Sequence, residues 1–130
     1  MSLVNENLTT QAQDFTAGWV DLGGEIPTET FKALGLWLIV DINDTLDARF
    51  RVLAKHTSGG ADEYVLPIKT ETATVVNIED EYCEFQTDED AKRVFSFALD
   101  EIIPFVQVQI QAGTAGETEG QILSSKYTLI

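Results

Sequence analysis

The chain has 130 residues, 44% of them hydrophobic, with 22 acidic against 8 basic residues and a net charge of −14. That length fits one domain able to bury roughly two-thirds of its unfolded surface, and the composition excludes global disorder. So large an acid excess argues against direct binding of nucleic acid, which needs clustered Lys and Arg, and against an anionic membrane surface.

Residues 1–14 are polar and aperiodic and read as an N-terminal arm, with the domain proper over 15–130. The opening residues Met1 to Glu6 lack a basic stretch followed by an apolar one, so no secretory signal is expected. Phe15 to Leu22 alternates loosely and stops at Gly23-Gly24, as a first strand would. Glu25 to Ala33, with Pro27, is a connection. Leu34 to Ile42 is apolar on both faces: Leu36, Leu38, Val40 and Ile42 share one side, Trp37 and Ile39 the other. A strand of that kind is central or is covered by a neighbouring subunit. Its longest apolar run, Leu34 to Val40, is far too short to span a bilayer.

Asn43-Asp44-Thr45 is a turn signal. Ala48 to Lys55 follows, with Phe50, Val52 and Ala54 predicted inward and Arg49, Arg51, Leu53 and Lys55 outward, until Thr57 to Gly60 breaks the chain. Glu63 to Ile68 is a short strand, placed at an edge by Pro67. Thr72 to Ile78 and Tyr82 to Gln86 are two more. Thr87 to Asp90 resembles a capped helix start with room for one turn. Val94 to Leu99 places Phe95, Phe97 and Leu99 on one face. Pro104 to Ala112 alternates strictly, with Val106, Val108 and Ile110 against Gln107, Gln109 and Gln111. Gln121 to Ile130 closes the chain, and its apolar end must be covered. Eight or nine strands at this spacing predict an all-β fold, an antiparallel β-sandwich of jelly-roll-like kind. An immunoglobulin-like sandwich is second, since the single Cys83 rules out that family's cysteine pair.

Reactive groupings are scarce. Triads would depend on His56 alone, no nucleophile-elbow motif is present, and zinc needs more His and Cys than the chain holds. Asp41, Asn43 and Asp47 sit in a frame that resembles a calcium loop. Leu46 stands where that loop needs Gly and Val52 where it needs Glu, so a hairpin turn is expected, with calcium as the alternative. The runs Glu79 to Glu81 and Asp88 to Asp90 read as solvated loops. Gly113 to Gly116 leads into neither a Lys-Ser pair nor a helix, which excludes a phosphate loop. Arg49, Arg51 and Lys55 form a basic stripe, expected to pair with acids on adjacent strands. Trp19 and Trp37 are expected in the core, with sugar stacking as the alternative. No cofactor is implied.

Trp19-Val-Asp-Leu-Gly-Gly24, Phe95-Ser-Phe-Ala-Leu-Asp100 and Ile103-Pro-Phe-Val-Gln-Val-Gln-Ile-Gln-Ala-Gly-Thr-Ala-Gly116 occur in the order seen in small head proteins of tailed phages. The chain resembles their jelly-roll cement and decoration proteins, which bind between major capsid proteins. That resemblance implies a non-enzymatic role on the capsid exterior, synthesis in the bacterial host cytoplasm, and two partners: the major capsid protein and the chain itself, as homodimer or homotrimer. No nucleic acid and no membrane is implied. The contact regions expected are the arm (Asn5, Leu8, Thr10), the outer face of Leu34 to Ile42 (Trp37, Ile39), the loop from Gly113 to Gly120 (Thr114, Glu117) and the last strand (Leu129). A phage tail or neck protein and a carbohydrate-binding module are the alternatives, and fold by itself separates none of them.

Overall fold

Alternation in the sequence becomes layering in the structure. A computed structural model describes residues 3–42, 48–66, 70–72, 75–77, 82–85, 90–112 and 120–130. In chain order the strands are β1 (Val4–Thr9), β2 (Gln13–Asp14), β3 (Val20–Asp21), β4 (Ile26–Pro27), β5 (Ala33–Ile42), β6 (Ala48–Lys55), β7 (Glu63–Val65), β8 (Thr70–Thr72), β9 (Val75–Asn77), β10 (Cys83–Glu84), β11 (Asp90–Ala98), β12 (Phe105–Ala112) and β13 (Gly120–Leu129). No helix occurs among the described residues.

One sheet runs β1-β13-β5-β11, with β2 also on β13. The other runs β10-β6-β12-β3, with β4 on β12 and β7 on β6. Each of these pairings is antiparallel. The long strands change sheet in succession: β5 lies in the first, β6 in the second, β11 in the first, β12 in the second and β13 in the first. This is the all-β antiparallel sandwich that the alternation predicts, and among the described residues the expected eight or nine strands are cut more finely into thirteen segments.

The core lies between the sheets. Leu34, Leu36, Leu38 and Val40 of β5 face Phe50 and Val52 of β6 and Val106, Val108 and Ile110 of β12, all fully or almost fully buried. Each such side chain contributes about 1.5–3 kcal/mol by leaving water. An aromatic cluster ties the layers together. Phe50 on the second sheet meets Phe95 on the first at 4.6 Å between ring centroids, with Phe85 at 5.5 Å from Phe50 and Phe15 at 6.1 Å from Phe85. Tilted and edge-on rings at such distances are the favourable arrangement.

Several expected elements differ. Phe15 to Leu22 is not one strand. The chain leaves β13 after Asp14, drops the Phe15 ring into the core, and joins the second sheet at Val20, so this stretch bridges the layers. The segment expected as an arm forms β1 and β2, hydrogen-bonded to β13 of the same chain. Thr72 to Ile78 is divided, because Thr70–Thr72 and Val75–Asn77 pair with each other as a separate two-stranded hairpin. Asp90, expected in a helix start, opens β11; Thr87 itself lies outside the described residues. Pro67 also lies outside them, and among the described residues β7 next to it pairs with β6 alone.

Burial corrects two outward assignments and one inward one. Leu53 is buried although it points away from the main core. Gln107 is buried too, its amide donating to the carbonyls of Gly23 at 3.1 Å and Val108 at 3.0 Å. Leu53 sits directly opposite Gln107 on that face, and Gly23 comes close enough there to accept from the Gln107 amide, a neighbour that period two cannot reveal. Ala54, expected inward, is only half-buried at the end of β6.

Candidate interaction surface

Residues directly opposite one another in paired strands share a face. On the outward face of the first sheet the register therefore builds rows. One holds Lys92, Ile39 and Ser124; the next holds Val94, Trp37, Lys126 and Asn7; the next holds Ser96, Gly35, Thr128 and Asn5. Asp41, Gln121 and Asp14 make the row at the opposite end, with Asp90 of β11 at the same register position. A bulge in β13 between Ile122 and Ser124 adds Leu123 beside these rows. Trp37 is 48% exposed, Val94 56% and Leu123 41%. Together with half-buried Ile39 they form an apolar strip, unusual in a chain this acidic.

Trp37 does not lie in the core. Its indole N–H donates to Thr128 Oγ1 at 3.0 Å, and that hydroxyl donates to Asn5 Oδ1 at 2.7 Å. Side chains from three strands thus anchor the ring beside Gly35, where an added Cβ would make only an ordinary 3.6 Å contact with the indole nitrogen.

Outside the second sheet the basic stripe is consumed within the chain. The Arg51 guanidinium stacks 4.3 Å over the Trp19 ring and donates twice to Gln109 Oε1, at 2.9 and 2.6 Å, while Gln109 donates to Asp21. Arg49 lies 4.2 Å over Tyr82. Lys55 bonds Glu25 at 3.1 Å and Glu63 at 3.9 Å. Glu25 also accepts from the Ser58 hydroxyl and the Gly59 N–H, both at 2.9 Å. These donors, the backbone N–H foremost, hold its carboxyl below the ordinary glutamate value. Trp19, like Trp37, is therefore a partly exposed surface ring. The arginines take ring faces as well as polar partners, which pattern reading missed because Trp19 and Tyr82 are far from them in sequence.

At one end of the sandwich an open depression of about 440 Å³ is lined by His56, Glu29, Glu101, Ile102, Pro104 and Phe105. His56, Glu29 and Glu101 are exposed, and Glu101 pairs with Lys32 at 3.6 Å. Among the described residues, His56 has no hydrogen bond to either carboxylate, so nothing orients it as a base.

Of the expected contact residues, Asn5, Trp37 and Ile39 come together on the outer face of the first sheet. Thr10 is exposed beyond the end of β1, away from that group. Leu8 is partly buried against the core, and Leu129 is buried at 2% because its position in β13 points inward, opposite Leu34, so Leu129 is not available at the surface. Thr114, Glu117, Asn43 and Asp47 lie outside the described residues. Asp41 sits on the outer face of β5, and no group of three or more acidic, His or Cys side chains is placed to hold a metal among the described residues. Val94, Lys92 and Lys126 were missed. The inward set Phe95, Phe97 and Leu99 already implied that Val94 and Lys92 point outward.

No protein-family model matches the chain, and no curated protein matches it in sequence. Similarity appears at the level of fold. The SPBc2 prophage-derived protein YomS superimposes with a TM-score of 0.60 at 11% identity, over 98% of this chain and 92% of that one. The infectious bursal disease virus VP2 subviral particle gives 0.58 at 12% identity, over 98% of this chain and 32% of that one. The Gt strain of the same virus gives 0.52 at 12% identity, with 99% and 32% covered. The chain thus spans nearly all of the prophage-derived protein and about a third of each virus chain. At these identities the likeness establishes a shared sandwich fold.

Proposed function

We propose that this chain is a structural protein of a phage-type virion that acts through its surface and without catalysis, as a cement or decoration protein bound between major capsid proteins on the head exterior. The observation that carries the reading is the end-to-end fold match to a prophage-derived protein of nearly equal length, joined by a virus-particle protein with the same sandwich. The surface supports it. The apolar strip around Trp37 is suited to contact, and in the depression beside His56 that histidine has no hydrogen bond to Glu29 or Glu101 among the described residues. A cement needs a stiff body and many copies, because symmetry multiplies modest contacts.

The test is direct. Particles released from cells carrying this gene are purified, probed for the chain by mass spectrometry, and imaged with a labelled antibody. The chain is expected in the particles and on their heads. Its absence from particles would overturn the reading, whereas label on tails or necks would keep a virion role and remove the cementing one. Heads lacking the chain are expected to rupture at lower temperature than complete heads.

A second reading, carbohydrate binding, is favoured by one observation: Trp37 is half-exposed with the Thr128 and Asn5 polar groups beside it. It predicts saturable quenching of tryptophan fluorescence by oligosaccharides. Unchanged fluorescence across a sugar panel removes it.

A further inference from the structure

We infer that the outward face of the first sheet is a twofold interface, and that its occupant is the same face of a second copy of this chain. The inference deepens the structural-protein reading and rests on it for its purpose.

The charges point to this partner. Of the eight basic residues, Lys32 and Lys55 meet carboxylates within the chain, and Arg49 and Arg51 lie over aromatic rings. Lys92 and Lys126 are exposed on the outer face beside Ile39 and Trp37, and no carboxylate among the described residues pairs with either. In a chain with 22 acidic residues, lysines left over beside an apolar strip call for carboxylates from elsewhere. The same face supplies one for Lys126, since Asp41 lies two residues beyond Ile39 on β5, at the end away from Trp37.

Stacking two such faces with their β5 strands opposed, about an axis level with Ile39, makes the pattern self-complementary. Asp41 is about 6.7 Å to one side of Ile39 along the strand, and the Trp37–Lys126 row about 6.7 Å to the other. The rotation therefore carries each Asp41 onto the Trp37–Lys126 row of the other copy, twice per dimer. Such reciprocity is what an isologous interface requires. Trp37 and Ile39 fill the apolar centre, and Val94 and Lys92 flank it on edge strand β11, where the long Lys92 side chain keeps its ammonium in water. The four strands, β1 the shortest, cover at most roughly 20 by 30 Å, about 600 Å², the lower end of one partner's share of a specific interface.

The test uses the purified full chain, with mass measured by sedimentation over a concentration series and folding checked by circular dichroism. A dimer of twice the 14.4 kDa chain mass is expected. Val94→Asp changes a side chain that is already 56% exposed, so it should fold normally and dissociate the dimer. Asp41→Lys and Lys126→Asp are each expected to weaken association by about tenfold or more, and the two together to recover most of it. A wild-type chain that stays monomeric at all concentrations, a Val94→Asp dimer as tight as the parent, or a double reversal no better than the singles would overturn the inference. Presence in particles without a solution dimer defeats this inference alone. A dimer with absence from particles defeats only the virion reading.

Discussion

Glu25 shows what one well-placed side chain contributes. Its carboxylate gathers the Gly59 N–H, the Ser58 hydroxyl and the Lys55 ammonium, and so pins the turn after β6 to the strand that borders β12. Its pKa in the folded chain lies below the ordinary value, so ionised Glu25 favours folding above the ordinary glutamate pKa. That contribution fades as pH falls through the lowered value. Glu25→Gln is therefore expected to reduce the urea midpoint at neutral pH, with the gap to the parent closing in acid. Gly23 is the other decisive single position. It has φ +70°, and a Cβ there would stand 2.5 Å from the Leu8 carbonyl oxygen and 2.8 Å from the Leu8 side chain. Gly23→Ala combines a strained backbone with a clash against β1, so a loss of about 2 kcal/mol is expected in denaturant melts.

At the scale of elements, β1 is the informative case. Its composition is polar and its outward residues Asn5 and Asn7 are exposed, which is why a sequence reading leaves it as an arm. In the fold it closes the edge of β13, packs Val4 and Leu8 against the core, and gives the buried Ser125 hydroxyl its partner in Thr9 at 2.6 Å. Removing residues 1–9 would bare the β13 edge and leave Ser125 without that bond. An arm could be deleted without harm. A sheet strand could not, so the truncated chain is expected to melt earlier and to aggregate through the exposed edge, as read by light scattering during a thermal ramp. The glutamines of β12 act similarly: Gln107, Gln109 and Gln111 donate to Gly23, Asp21 and Ala17, fastening the bridging segment to the second sheet. Their alternation with valine and isoleucine was plain in the sequence, but their purpose depends on which segment lies alongside.

For the molecule as a whole, net charge dominates the solution behaviour. A charge of −14 repels itself more strongly in the compact state than in the unfolded one. Added salt screens that repulsion over about 10 Å at 0.1 M ionic strength. The melting temperature is therefore expected to rise as sodium chloride is added from a dilute buffer. A melting temperature that falls with salt would mean that local ion pairs such as Lys55–Glu25 outweigh the global repulsion. Near the sequence pI of about 4.1 the same repulsion vanishes, and solubility should reach its minimum there.

The strands β5, β6, β12 and β13 were legible from the residues alone, as were the shared face of Leu36, Leu38 and Val40 and the inward set Val106, Val108 and Ile110. Period two is a local property, and a strand with one face in a core must display it wherever it lies. The acid excess and the poverty in His and Cys were equally visible, because counting needs no geometry. Tertiary structure decided the rest. It brought Trp19 to Arg51, set Lys126 beside Trp37, turned the polar opening residues into an edge strand and buried Leu129. Each of these outcomes depends on which distant segment becomes a neighbour. That choice is made by sheet order and register, where the energies of many strand pairings compete, and no short stretch of sequence carries it.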